Sequence, residues 1–149
     1  MSGRVASLES RVSDGPIKSF VDLRVWQEAR ELASNVYQET KVFPASEQFG
    51  ITNQIRRSVV SIAANIAEGF GRRTKADRTH FYDMARGSLA ELQSHLIISV
   101  DIKYLAEKSF RTLVEQSVEC NKMLTGLINA TKDRDSRLAT RDSSRKEGK

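Results

Sequence analysis

Four stretches of three- and four-residue apolar spacing, separated by short links, most constrain how this 149-residue chain folds. From about Asp22 to Thr40, Leu23, Trp26, Ala29, Ala33, Val36 and Tyr37 recur on one helical face. From about Ser46 to Glu68, Ile51, Ile55, Val59, Ile62 and Ile66 do the same. The third stretch, Thr74 to about Leu105, carries Phe81, Met84, Ala85, Leu89, Leu92, Leu96 and Val100. The fourth begins near 106–109 with Phe110, Leu113, Val114 and Val118, and continues through Met123, Leu124, Leu127 and Ile128. No alternating pattern of strand length interrupts them. Each amphipathic helix must cover its stripe, and four of them joined by short links do so as an all-α, antiparallel up-down-up-down four-helix bundle.

Local chemistry marks the ends. Asp22 is read as the first N-cap and Thr74 as the third, with Asp77 three residues on completing a capping box. Pro44 closes the first link, and Gly69 and Gly71 stop the second helix. Only 8 glycines and 2 prolines are present, too few for the many turns of a sandwich or barrel.

Composition excludes other classes. One cysteine, Cys120, forms no internal disulfide and is read as a small buried hydrophobe. The longest aliphatic run, Leu96-Ile97-Ile98, is far short of a membrane span, and the N-terminus shows no apolar signal core. A soluble cytoplasmic protein without membrane contact is expected. Residues 1–19, rich in Ser, Gly and charge, are read as a disordered leader. Residues 132–149, with Leu138 their one large aliphatic side chain, are read as a disordered charged tail, and 20–131 as the bundle domain.

Beside the apolar stripe of the second helix runs a polar one: Gln54, Ser58, Ser61, Asn65 and Glu68. With Arg57, and with Ser88 and Glu91 on the third helix, these residues form a candidate structural network in which Arg57 pairs with Glu91 and Ser61 or Asn65 with Ser88. A buried charge without a partner costs several kcal/mol.

The order of motifs resembles a family. Leu23-Arg-Val-Trp26, Phe43-Pro44, Gln54-Ile55-Arg56-Arg57-Ser58, Asn65-Ile66-Ala67-Glu68-Gly69 and Ala85-Arg86-Gly87-Ser88-Leu89 resemble the bacterial four-helix-bundle proteins encoded by intervening sequences of 23S ribosomal RNA genes. These are similar to the accessory variability proteins of diversity-generating retroelements. The resemblance covers roughly residues 20–128. It implies a homopentameric ring and, in the retroelement relatives, binding of RNA and of a reverse transcriptase; it implies no known enzymatic activity, and a non-catalytic module is expected.

Charge gives that implication a location. The net charge of +5 leaves residues 56–86 with seven basic and three acidic groups, while 20–55 and 87–131 are net negative. Arg56, Arg72, Arg73, Lys75 and Arg78 are the candidate nucleic-acid-binding residues, for RNA or DNA. The competing readings are a pure protein-interaction scaffold and a ribonuclease of the HEPN type using Arg73 and His80, with six residues between them. Glu91 and His95 lie four apart, not the three of a bundle di-metal motif, and no second histidine helix exists, so no metal and no cofactor are expected.

Overall fold

The structure is a computed structural model that describes residues 16–147, with side chains through residue 133. The described residues contain four α-helices and no strand: α1 Arg24–Thr40, α2 Ile51–Phe70, α3 Lys75–Asp101 and α4 Glu107–Glu147. Packing is cyclic. α1 lies against α2 and α4, and α3 lies against α2 and α4. Along α2, Gly69 meets Tyr82 of α3, and Ser61 meets Ser88. Along α3, Arg86 meets Thr125 of α4, and Gln93 meets Ser117.

The core follows a 3–4 repeat on each helix. α2 buries Ile55, Val59, Ile62 and Ile66; α4 buries Leu113, Cys120, Leu124 and Ile128. Each fully buried Leu or Ile contributes about 1.5–3 kcal/mol relative to exposure. On α1 the buried set is Val25, Ala29, Leu32 and Val36: Ala29 and Val36 belong to the expected stripe, and Val25 and Leu32 take the places expected for Trp26 and Ala33. Trp26 and Ala33 are half-buried and Tyr37 is 41% exposed. On α3 the buried set is Tyr82, Ala85, Leu89, Leu92 and Leu96. Tyr82 therefore replaces Phe81 in the core, and Met84 is exposed.

The ends differ from expectation in informative ways. Asp22 caps no α-helix. It closes a 3-10 turn, Phe20–Asp22, whose N-cap is Ser19; its carboxylate accepts from the amides of Lys18 (3.0 Å) and Ser19 (3.1 Å). Leu23, extended and buried, then leads into α1. The residues expected to begin the second helix form a 3-10 turn, Ala45–Glu47, and α2 starts at Ile51. Glu47 still serves that start: its carboxylate accepts from the Ile51 amide at 3.2 Å and from the Tyr104 hydroxyl at 3.3 Å. A carboxylate placed there also meets the positive end of the helix dipole. Thr74 caps α3, accepting from the Asp77 amide at 3.1 Å; of the expected capping box this is the one bond present, with no return bond from the Thr74 amide to the Asp77 carboxylate.

α3 ends at Asp101, four residues before the expected Leu105. Lys103 takes φ 65°, and the amides of Lys103 and Tyr104 bond back to Val100 (3.0 Å) and Ser99 (2.9 Å). This double bond-back around a left-handed residue is a Schellman stop, which here uses lysine where glycine is usual. At the other terminus the α4 backbone continues to Glu147, through most of the segment read as a disordered tail. Extending a formed helix needs no new nucleus, so the backbone can continue it through a polar sequence. Residues 1–15 of the expected leader lie outside the described residues.

Candidate nucleic-acid interface and polar cleft

Two regions emerge from the sequence candidates. The first is the α2–α3 link. The C-terminus of α2 and the capped start of α3 bring Arg72, Arg73, Lys75 and Arg78 to one end of the bundle. Arg72 pairs with Glu68 across one helical turn, and its guanidinium lies over the Phe81 ring at 4.6 Å. Arg78 Nε donates to the Arg72 carbonyl at 2.7 Å, tying the link to α3. Lys75 Nζ donates to the Lys132 carbonyl at 3.0 Å on α4. Arg73 is exposed. His80, also exposed, stacks edgewise on Phe81 at 5.6 Å.

Phe81 thus serves as a platform for Arg72 and His80 on the surface. Its predicted place in the core belongs to its neighbour, because the repeat through Leu92, Leu89 and Ala85 reaches Tyr82. Burial pushes the Tyr82 hydroxyl above its ordinary pKa, while nearby Arg78 acts in the opposite direction.

Arg56 does not join this end. It sits one turn into α2, where Nε donates to Thr40 Oγ1 at 3.0 Å and the guanidinium lies over Tyr37 at 4.7 Å. Sixteen residues separate it from Arg72, roughly 24 Å along a helix at about 1.5 Å per residue. Its role is to fasten the C-terminus of α1 to α2.

The second region is the polar stripe of α2. Ser61 and Ser88 place their hydroxyls 2.9 Å apart, and Asn65 Nδ2 donates to the Ser61 carbonyl (2.9 Å) and hydroxyl (3.0 Å). That part of the expected network forms. The expected Arg57–Glu91 pair does not. Instead Gln54, Arg57, Ser58, Ser61 and Glu91 line a cleft of about 250 Å³ between α2 and α3. Glu91 meets His95 at 3.4 Å on its own helix, and Arg57 makes no hydrogen bond or ion pair with any described residue. Glu68, expected in this network, lies at the basic end with Arg72.

Other polar links between helices escape sequence spacing. Asn35 donates to Gln116 at 3.0 Å, and Gln93 donates to the buried Ser117 at 2.9 Å. Each such pair faces across two stripes that spacing reads separately. Cys120 is fully buried, and burial, helped by Glu28, pushes its thiol up to about 12. Burial and then Glu31 and Glu119 raise Glu28 as well. Among the described residues no group of three or more His, Cys, Asp or Glu side chains is placed to hold a metal ion. None of the described helices is long and apolar enough to cross a membrane.

Residues 21–126 match the family described as 23S rRNA-intervening sequence protein. A solved structure from Bacteroides thetaiotaomicron, described as a protein with unknown function from the S23 ribosomal protein family, is similar at 26% identity. The match covers 70% of this chain and 97% of that one, with a TM-score of 0.65. No curated protein matches the chain.

Proposed function

This chain belongs to the 23S rRNA-intervening sequence protein family, and from that premise we propose that it is a non-catalytic, oligomeric RNA-binding module. In this reading it is cytoplasmic and forms an antiparallel up-down-up-down bundle that assembles as a ring of five. The opposed registers of α2 with α3 and of α3 with α4 support the bundle topology. The observation that carries the function is the convergence of Arg72, Arg73, Lys75 and Arg78 at one bundle end. A ring repeats that end in every subunit, and the summed positive field attracts a polyanion. Phosphates are then met by guanidinium groups already held by Phe81 and by the Arg72 carbonyl.

The test is an RNA titration at about 50 and 200 mM salt. Single-stranded RNA binding that neutralises Z phosphates falls with a log–log slope of about −0.7Z. Replacing Arg72, Arg73 and Arg78 together by Ala flattens that slope, by about 0.7 for each phosphate that is no longer neutralised. The RNA is recovered intact; cleavage that disappears in His80→Ala protein would instead favour the ribonuclease reading. Absence of binding at the lower salt overturns the proposal.

One observation favours a second reading as a protein scaffold. At the far end, Phe49 is 89% and Val42 78% exposed, and Ile98 and Ile102, at the end of α3, are 45% exposed. Tyr104 packs on Phe43 and bonds to Glu47, which brings the two segments together. Exposed apolar groups of this kind suit a protein partner, such as a nucleic-acid-handling enzyme of the reverse transcriptase type. Salt-insensitive capture of that enzyme without RNA would separate this reading from the first.

A further inference from the structure

The cleft between α2 and α3 has a floor and a rim of different character. Its floor is closed chemically. Ser58, 3% exposed, gives its hydroxyl hydrogen to the Ile55 carbonyl at 2.8 Å, and Ser61 is engaged with Ser88 and Asn65. Its rim is open chemically. The Arg57 guanidinium and the Gln54 amide bond to no described side chain, and Glu91 makes one long approach to His95 at 3.4 Å. A cation and an anion therefore face one space without meeting each other, although they stand on adjacent helices.

A ligand that fits must accept hydrogen bonds on one edge and donate them on another. It must also be small: about 250 Å³ lies below the ~300–1,000 Å³ of pockets for drug-sized ligands. Guanine meets both demands. Its N7 and O6 form an acceptor pair that suits an arginine fork. Its N1–H and N2–H₂ present two adjacent donors to the two oxygens of a carboxylate, which accepts only. Adenine, cytosine and uracil lack two adjacent donors on one edge. Unpaired bases in RNA are recognised through such edges and on the planes of arginine side chains.

The geometry points to a guanine-binding site in this cleft, with Arg57 donating to the O6/N7 edge, Glu91 accepting from N1–H and N2–H₂, and Gln54 completing the rim. The guanine comes either from a free nucleotide or from an unpaired position in RNA. Only the second source rests on the RNA-binding reading above. Arg57 stands 15 positions before Arg72, roughly 22 Å along the helix, so the cleft is separate from the phosphate-attracting end.

Calorimetric titration of the full-length protein with GMP, AMP, CMP and UMP tests the site, because the four carry the same phosphate and differ only in the base. GMP is expected to bind at least about fivefold tighter than the others, the lower limit of what one bidentate pair discriminates. Glu91→Gln removes that preference, since the amide presents a donor where an acceptor is needed. Glu91 is exposed, and an unchanged melting temperature verifies that the variant is folded. RNA hairpins with one unpaired G or A then distinguish the two sources: a preference for G in the hairpin assigns RNA, and preference in the mononucleotides alone assigns a free nucleotide. Equal binding of all four nucleotides, absence of binding, or a GMP preference that survives Glu91→Gln overturns the site. The Arg72/Arg73/Arg78 triple variant separates the two proposals. It loses the salt dependence of RNA binding and keeps the preference for GMP.

Discussion

Ser61 of α2 and Ser88 of α3 place their hydroxyl oxygens 2.9 Å apart at mid-helix. Ser88 also donates to the Met84 carbonyl at 3.2 Å, and Asn65 donates to Ser61, so the pair is the centre of a small closed network. Small residues on both helices let the backbones approach, and the hydroxyls satisfy one another in the space that remains.

Two substitutions there separate hydrogen bonding from packing. Ser61→Ala removes the acceptor for Asn65 and the partner of Ser88, and destabilises by about 1 kcal/mol, the typical net value of such a bond. Ser88→Leu forces a large side chain into the seam and costs about 1–3 kcal/mol by overpacking. Denaturant unfolding with constant m-values reads both, and a Ser88→Leu variant as stable as the parent would contradict the close approach.

Backbone positions give the opposite signs at two sites. A Cβ on Gly69 meets Tyr82 at 2.8 Å and Phe81 Cβ at 3.0 Å. Tyr82 is 1% exposed and has no room to move aside. Gly69→Ala therefore destabilises, because an overpacking cost of about 1–3 kcal/mol exceeds the ~1 kcal/mol gain in helix propensity. Lys103→Gly relieves the left-handed backbone at the end of α3 and stabilises by about 1 kcal/mol. Thermal melts of the two variants should move in opposite directions.

Arg56 is the sharpest divide between charge read along the chain and charge placed in space. Its bonds to Thr40 and Tyr37 predict that Arg56→Ala lowers stability by about 1–2 kcal/mol, from one charge-assisted hydrogen bond and one cation–π interaction. RNA affinity and its salt slope stay unchanged, whereas Arg73→Ala leaves stability within about 0.5 kcal/mol and weakens binding. Equal loss of affinity in both variants would restore a continuous patch.

What the residues disclose in advance follows from how local each cause is. The Thr74 cap and the α2 stripe are set by neighbours within a few positions, and both form as read. The phase of α1 is not local. Trp26 and Val25 both suit an apolar face, and the choice falls to the packing of α2 and α4, with Phe20 covering Trp26 at 5.0 Å instead. The same ambiguity exchanges Phe81 for Tyr82. In the candidate site, the residue types of the polar stripe disclose the Ser61–Ser88 bond. They do not disclose that Arg57 and Glu91 face a common cleft unpaired, because that depends on the separation of two helices rather than on spacing within either.

Cys120 carries the last prediction. Its side chain is fully buried on α4, and its thiol sits at about 12, raised by burial and by the nearby Glu28 carboxylate. A folded-state pKa above the ordinary ~8.5 means that the native thiol ionises far less than the unfolded one at pH 8. The thiolate is the reactive form, so alkylation of the native protein at that pH is slower than of the unfolded chain by a factor of about 10³ from ionisation alone. Burial slows it further. The same sign governs stability: the unfolded state loses its proton first, so stability contributed by the protonated buried thiol declines as pH rises above ~8.5 toward 12. Iodoacetamide labelling followed by mass spectrometry, with and without denaturant, measures the ratio. Comparable rates in the two states would place Cys120 outside the core.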